Sequence, residues 1–372
     1  MSNARELAQI PSTPSGRRNL IINGAMNVAQ RGTSTTGVNS NTYASLDRFK
    51  TLTNEGTFTV SQSSEAPAGF ANSYKIDCTT ADTSLAAAGK VNIDTYLEGQ
   101  DLQQIQKGLS TAKQVTLSFW VKSSVTGTYI VELFDVDNSR HINKSYSISS
   151  ADTWEKKEIL IDADTTGAFG NDNSASLQLR WWLAAGSNWT SGTLATTWQA
   201  QDNTDRAVGL SVNIASSTSN DWYITGVQLE VGSVATEFEH RSYGEELALC
   251  QRYYYMAANG TSDTNQAGLG LCYAHSDTEY RSAIDLPVEM RTIPSLDSPT
   301  VTNGYRFVAG ATSTATTQTV DSITAAYPAW NTKRKFLIGS GTGQQDQNAG
   351  GKSGYAQVYQ STSAYVAFDA EL

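Results

Sequence analysis

Four tryptophans fall close together in the chain: Trp181, Trp182, Trp189 and Trp198, beside polar loops that contain glycine. The C–H faces of a sugar ring pack on a flat indole while nearby Asn, Asp and Gln bind its hydroxyls. This quartet is therefore the best binding signal in the sequence, and a glycan platform is one reading of it. Core or subunit-interface packing is the other, because Trp is also favoured there. Successive strand residues face opposite sides, so only one of Trp181 and Trp182 points into a core. The other is exposed, covered by the 184–206 loop, or buried against a neighbouring chain. Trp120 carries the same two readings, since it lies opposite the apolar face of its strand.

No other constellation carries catalysis. His141, His240 and His275 are the only histidines, and none lies in a metal-ligand or triad motif. No G-x-S-x-G elbow is present. Carboxylates are numerous, so counting does not exclude a pair for glycoside hydrolysis, but the sequence shows no sign of the deep groove such a pair needs. The expectation is a non-enzymatic protein without a cofactor. Gly339-Ser340-Gly341-Thr342-Gly343 lacks the Lys-Ser/Thr ending of a phosphate loop and reads as surface loop. Asp135-Val136-Asp137-Asn138 is a turn composition rather than a calcium loop, so no metal site is assigned. Cys78, Cys250 and Cys272 match no metal-ligand spacing and read as buried thiols.

Charge narrows the partners. A formal net charge of −10 and a pI near 4.8 repel a phosphate backbone and give no attraction to an anionic membrane. Lys333-Arg334-Lys335 reads as a solvated turn. No apolar run is long enough to span a bilayer. Residues 1–18 lack the apolar core of a signal peptide, so export by a classical signal is not expected.

The elements that position these residues are strands. Hydrophobic residues make up 39% and charged residues 17%, a balance that suits antiparallel strands with polar outer faces rather than a disordered chain. Val115, Leu117, Phe119 and Val121 share one face of a strand, while Thr116, Ser118, Trp120 and Lys122 share the other. Gly127 marks a turn and 129–134 a hairpin partner. Further strands are expected over 154–161, 177–183, 208–214 and 222–231. Short strands at this spacing favour a sandwich or jelly roll, and no repeat of solenoid period occurs. Ser242-Tyr243-Gly244-Glu245 has capping-box form. Leu247, Cys250 and Tyr254 then recur at helical spacing, so a short helix is expected over 243–253. The Thr-rich stretch 312–319 suits a loop or edge strand.

The expected fold is all-β: an N-terminal arm over 1–18, an antiparallel jelly-roll β-sandwich over 19–241, a connecting helix over 242–256, and a second, smaller β-rich domain over 257–372. Tyr253-Tyr254-Tyr255-Met256 offers apolar surface on more than one side. It either meets symmetry mates in an oligomer interface or packs under the second β region of its own chain.

Several segments stand in a recognisable order. They are Arg18-Asn19-Leu20-Ile21-Ile22-Asn23-Gly24-Ala25-Met26-Asn27, then Asp47-Arg48-Phe49, then Tyr96-Leu97-Glu98-Gly99-Gln100-Asp101-Leu102 and the strand at 115–122. Later come 222–232, Phe238-Glu239-His240-Arg241-Ser242-Tyr243-Gly244-Glu245-Glu246, Leu286-Pro287-Val288-Glu289-Met290-Arg291, and Phe368-Asp369-Ala370-Glu371-Leu372. Together they resemble a family of bacteriophage tail proteins with a carbohydrate-binding-module-like jelly roll, over most of the chain from Asn19 to Leu372. The resemblance implies a tail-fibre or tail-associated structural protein, assembled in the host cytoplasm and carried on the virion exterior. Its implied partners are other virion proteins and host surface polysaccharide. Phage fibres are commonly threefold, which implies a homotrimer. The resemblance carries no catalytic residues. A capsid head-fibre or decoration protein and a tailspike glycosidase are the two rival readings.

Overall fold

The alternation along 115–122 belongs to a nine-residue strand, Val115–Ser123, whose Leu117, Phe119 and Val121 are fully buried. The computed structural model describes residues 17–260, 266–276, 279–309, 316–340, 352–359 and 361–372. It divides into two compact units, Met1–Glu246 and Leu247–Leu372.

In chain order the first unit holds β1 (Ser34–Val38), β2 (Lys50–Thr53), β3 (Thr57–Ser63), β4 (Ser73–Thr80), β5 (Lys90–Glu98) and β6 (Val115–Ser123). After these come β7 (Gly127–Asp135), β8 (Arg140–Ile148), β9 (Glu155–Ile161), β10 (Ala175–Ala185), β11 (Gln199–Ala200) and β12 (Asp221–Val231). They form two antiparallel sheets, ordered β1-β3-β4-β12-β6-β9 and β11-β8-β7-β10-β5-β2. The chain changes sheet after β1, β2, β4, β5, β6, β8, β9 and β11, which makes the unit a jelly-roll sandwich rather than a meander. Between the sheets Phe119 meets Tyr146 and Trp181 edge-on, at ring separations of 5.2 and 5.8 Å. Edge-to-face contact is the favoured geometry for such pairs.

Residues 208–214 do not form the strand their alternation suggests. Gly209 adopts a φ of 87°, which takes the backbone out of the extended region. The segment makes one local backbone bond to the neighbouring strand, Ser211 N–H to the Thr128 carbonyl at 3.0 Å, while Val212 and Ile214 drop into the core. Its period-two apolar pattern records burial of an irregular chain, not a ladder.

The entry segments are structural. The Asn23 side chain, itself at a φ of 60°, donates to the Val28 and Asp47 carbonyls and accepts from Val28 N–H. Asp47 accepts from Gln30 N–H at 2.9 Å. Arg48 is 1% exposed and donates to the Tyr96 carbonyl at 2.6 Å. Arg18 does not belong to a separate arm: its N–H and that of Asn19 bond the Glu239 carboxylate at 3.0 and 2.9 Å. Burial raises the pKa of Glu239, but these two N–H groups and Arg241 outweigh it and hold the carboxyl below its ordinary value. Residues 1–16 of the expected arm lie outside the described residues.

The boundary between the units falls inside helix α1 (Tyr243–Gln251). Ser242 Oγ accepts from Glu245 N–H at 3.3 Å, as a capping box requires. The helix stops short of 253 because Tyr254 opens a strand. The second unit is built from β13 (Tyr254–Asn259), β14 (Ala267–Ser276), β15 (Glu279–Asp285), β16 (Ser295–Asp297) and β17 (Tyr305–Ala309). It continues with β18 (Thr316–Val320), β19 (Ile323–Ala325), β20 (Lys335–Ser340), β21 (Ser353–Val358) and β22 (Tyr365–Asp369). These make sheets ordered β13-β22-β16 and β18-β17-β21-β14-β15-β20-β19. The Thr-rich β18 is an edge strand; residues 312–315 and Gly341-Thr342-Gly343 lie outside the described residues.

Candidate functional site

Trp181 and Trp182 form a plug rather than a platform, while Trp189 and Trp198 are half-buried. Trp181 and Trp182 lie on β10 with opposite directions, and both are fully buried. Trp181 packs between the sheets. Trp182 points to the outer side, where the 184–206 loop covers it: Trp189 lies 5.6 Å away ring to ring, and Ala207 and Leu194 close over it. Its indole N–H donates to Glu132 Oε2 at 3.0 Å. Arg206 completes the lid by donating to both oxygens of the same carboxylate, at 2.8 and 3.0 Å. Burial raises the pKa of Glu132, yet the Arg206 guanidinium, the nearby His141 ring and the Arg180 charge hold it down to about 2. Trp189 is half-buried under Lys90, whose Nζ stands 5.1 Å from its ring. Trp198 donates to the Asp162 carbonyl at 2.8 Å and packs against the core. A flat indole face open to a sugar is therefore missing from Trp181 and Trp182, which corrects the platform reading.

Trp120 is placed differently. The outer face of β6 carries Ser118 and Trp120 beside β9 Lys156, directly opposite Trp120 in register. On its other side β12 bulges between Thr225 and Gln228, and Gly226 sits in that bulge at a φ of 62°. A Cβ at Gly226 would come within 2.7 Å of the Phe70 ring, so glycine is what allows Phe70 to lie on the sheet. Phe70 arrives from the β3–β4 loop. Phe238 and His240 arrive from the segment after β12, at 5.0 and 5.4 Å from Phe70 and 4.9 Å from each other. They are held there because the alternate residues Glu239 and Arg241 clamp the other way, Glu239 onto Arg18 and Asn19 and Arg241 onto the Ile21 carbonyl.

The result is a recess of about 400 Å³ with Trp120 in its lining, an aromatic wall of Phe70, Phe238 and His240, and a polar rim of Lys156, Thr236 and Glu237. Trp120 is half-buried. Ser118 is 4% exposed, lines the recess, and its hydroxyl has no hydrogen-bond partner among the described residues. Lys156 bonds Glu158 at 2.8 Å at the edge. Apolar ring faces next to a few convergent polar groups are what a small polyhydroxylated ligand needs. Sequence reasoning noted Trp120 alone. Phe70, Phe238 and His240 carried no spacing signal, because segments far apart in the chain bring them together.

The remaining expectations resolve locally. Asp135 accepts from the buried Lys107 Nζ at 2.5 Å and from Asn138 N–H at 3.0 Å. The same ammonium reaches Asp164 at 3.0 Å and the Thr166 and Gly167 carbonyls at 2.9 and 2.8 Å. Among the described residues no three His, Cys, Asp or Glu side chains are grouped to hold a metal. His141 is buried 3.5 Å from Glu132. The three cysteines are buried. Tyr253 and Tyr254 are 1% exposed within the second unit. They do not end a helix, since Tyr254 pairs with Asp369 in the β13–β22 ladder and Tyr255 stacks on Phe368 at 6.2 Å. Of the four residues expected at an interface, only Tyr255 and Met256 keep partly open surface, so the own-chain alternative describes the two buried tyrosines.

No protein-family model matches the chain, and no curated protein matches it. Among solved structures it is similar to a putative sugar binding protein from Bacteroides thetaiotaomicron, at 13% identity and a TM-score of 0.31 over 58% of this chain and 100% of that one. It is similar to a family 11 carbohydrate-binding module from Clostridium thermocellum in complex with a mixed-linked tetrasaccharide, at 11% identity and a TM-score of 0.27 over 55% of this chain and 98% of that one. It is also similar to the enzymatically active domain of bacteriophage CBA120 tailspike protein 4, at 12% identity and a TM-score of 0.30 over 57% of this chain. The match spans only 21% of the tailspike structure's length. At these identities and TM-scores the likenesses assign neither ligand nor activity to this chain.

Proposed function

We propose that the protein is a structural component of a bacteriophage particle, of tail-fibre or tail-associated type, and that its jelly roll binds a host-surface glycan in the Trp120 recess. The observation that carries the binding role is the half-buried Trp120 beside the Phe70–Phe238–His240 wall, with the unbonded Ser118 hydroxyl in the same lining. A pyranose stacks on the indole while Ser118, Thr236 and Glu237 meet its hydroxyls. The recess lining includes a single carboxylate, Glu237, whereas glycoside hydrolysis uses two; this favours binding over cleavage. The virion assignment and a homotrimeric state on the particle exterior rest on the ordered sequence segments described above.

The test is binding of the purified chain to host envelope polysaccharide. Losing one stacking ring removes on the order of 1–2 kcal/mol, so Trp120→Ala weakens binding about tenfold or more. Its melting midpoint stays near that of the parent, because Trp120 lies outside the intersheet core. Unchanged affinity in Trp120→Ala refutes the recess, and new reducing ends in the polysaccharide refute the non-enzymatic reading. Imaging of labelled particles checks the location, since label on the capsid would move the protein to the head.

A further inference from the structure

An antiparallel sheet with one face on a core normally turns polar residues to the other side. The seven-stranded sheet of the second unit departs from that pattern. Its inner face packs Cys272, Ala274, Ile284, Phe336 and Ile338 into the unit's core. On its outer face one apolar row crosses five neighbouring strands, β17, β21, β14, β15 and β20, in the order Val308, Tyr355, Leu271, Ala283 and Leu337. Register fixes the row: Val308 stands opposite Tyr355, Tyr355 opposite Leu271, and Ala283 opposite Leu337. The pairing of Cys272 with Ser282 sets Leu271 and Ala283 abreast. Leu271 is 83% exposed and Tyr355 44%. Four strand spacings of about 4.8 Å make the row roughly 19 Å long.

Ion pairs border the row. Along β15 the outer face carries Glu279 and Arg281 on one side of Ala283 and Asp285 on the other. Arg281 bonds both oxygens of Glu279, at 2.8 and 2.7 Å, and Asp285 meets Lys335 of β20 at 3.0 Å. Those charges cancel. Arg306, two residues before Val308 on β17, lies over the Tyr359 ring and has no ion pair among the described residues. An uncancelled positive charge thus stands beside the row on a chain of net charge −10, so a second copy of the chain is attracted to this face rather than repelled. The area is also sufficient. Seven strands at about 4.8 Å and the ~20 Å from Glu279 to Asp285 make a face of roughly 650 Å², close to the ~800 Å² that each partner gives to a stable interface. The parts of this unit outside the described residues are 261–265, 277–278, 310–315, 341–351 and 360. They contain no aromatic residue and no Leu, Ile, Val or Met, so they bring no large apolar side chain to the row.

We propose that copies of the chain meet through this outer face, the apolar row of one copy packing on the same row of its neighbours. The inference rests on the homotrimer proposed above and gives it an interface. A single apolar row between borders of ion pairs suits a seam along a threefold axis, where three sheets touch at their midlines. Two sheets laid flat on one another would need apolar residues across the whole face. In the seam Leu271 and Tyr355 leave water, while the paired charges stay at the polar rim.

The experiment compares the native mass of the full chain with that of Leu271→Arg at micromolar concentration. In parallel, Tyr355 is replaced by p-benzoylphenylalanine and photolysed in a mixture of isotope-labelled and unlabelled chains. The expected result is a three-chain parent and a monomeric Leu271→Arg that keeps the parent's far-ultraviolet circular dichroism. Crosslinks from position 355 should join peptides of unlike label, at the strands that carry the row. Leu271 is exposed in the single chain, so its fold tolerates the arginine; were the variant to misfold, the crosslinks decide alone. A Leu271→Arg protein with the parent's mass overturns the inference and leaves the homotrimer standing on another contact. A dimeric parent made monomeric by Leu271→Arg keeps this face as the contact and removes the threefold axis. A monomeric parent overturns both. Crosslinks to residues 1–16, which contain Leu7 and Ile10, also overturn the inference, since the chain's own N-terminal segment would then cover the face.

Discussion

Replacing Glu132 by Gln removes one charge from the lid that buries Trp182 and leaves the shape almost unchanged. The carboxylate is fully buried and bonds Arg206 twice and the Trp182 indole once. A carboxyl held at about 2 instead of its ordinary 4.5 favours the folded state by about 3 kcal/mol when ionised, at 1.36 kcal/mol for each pH unit. Removing one partner of a buried pair costs about 3–5 kcal/mol, because the other charge stays buried without its counter-ion. The two figures agree, so Glu132→Gln should lose roughly 3 kcal/mol at pH 7. The folded-state pKa is depressed, so this stability is fully present above about pH 4.5 and lost as pH falls toward 2. The gap between parent and variant must therefore close over that window. Urea unfolding followed by tryptophan emission measures it well, since every tryptophan except Trp330 lies in the first unit. A loss under about 1 kcal/mol at pH 7, or a gap as wide at pH 3 as at pH 7, refutes the reasoning.

Phe119→Ala leaves an aromatic-sized void against Tyr146 and Trp181 and should cost about 3–5 kcal/mol in the same unfolding assay; a loss below about 1 kcal/mol contradicts its place between the sheets. Gly226→Ala adds a Cβ against the Phe70 ring at a position with positive φ. It should cost about 1 kcal/mol and, by displacing Phe70, weaken polysaccharide binding; equal affinity would show that Phe70 does not shape the recess. Native mass measurement at micromolar concentration tests the proposed homotrimer, and a monomer there leaves only assembly templated by the particle.

The alternation of Val115, Leu117, Phe119 and Val121 already specifies a half-buried strand, because side chains of a strand alternate whatever its partners are. The Ser242–Glu245 cap likewise marks the start of α1, because a capping box is complete within four residues. All-β class, strand β6, the start of the helix and the ambiguity of Trp120 were thus legible from local pattern. Local pattern also misled where distant partners decide. Tyr254 has helical spacing from Cys250, yet Asp369 at the far end of the chain draws it into a ladder. Trp182 faces outward as strand geometry demands, and only the 184–206 loop, anchored by Arg206 on Glu132, converts that outward face into a buried one. The Trp120 recess shows the same limit, since Phe70, Phe238 and His240 meet because the jelly-roll crossovers set β4, β12 and β6 side by side. Period and propensity describe a few residues at a time, whereas a binding recess is made by contacts between segments that only the closed sandwich brings within reach.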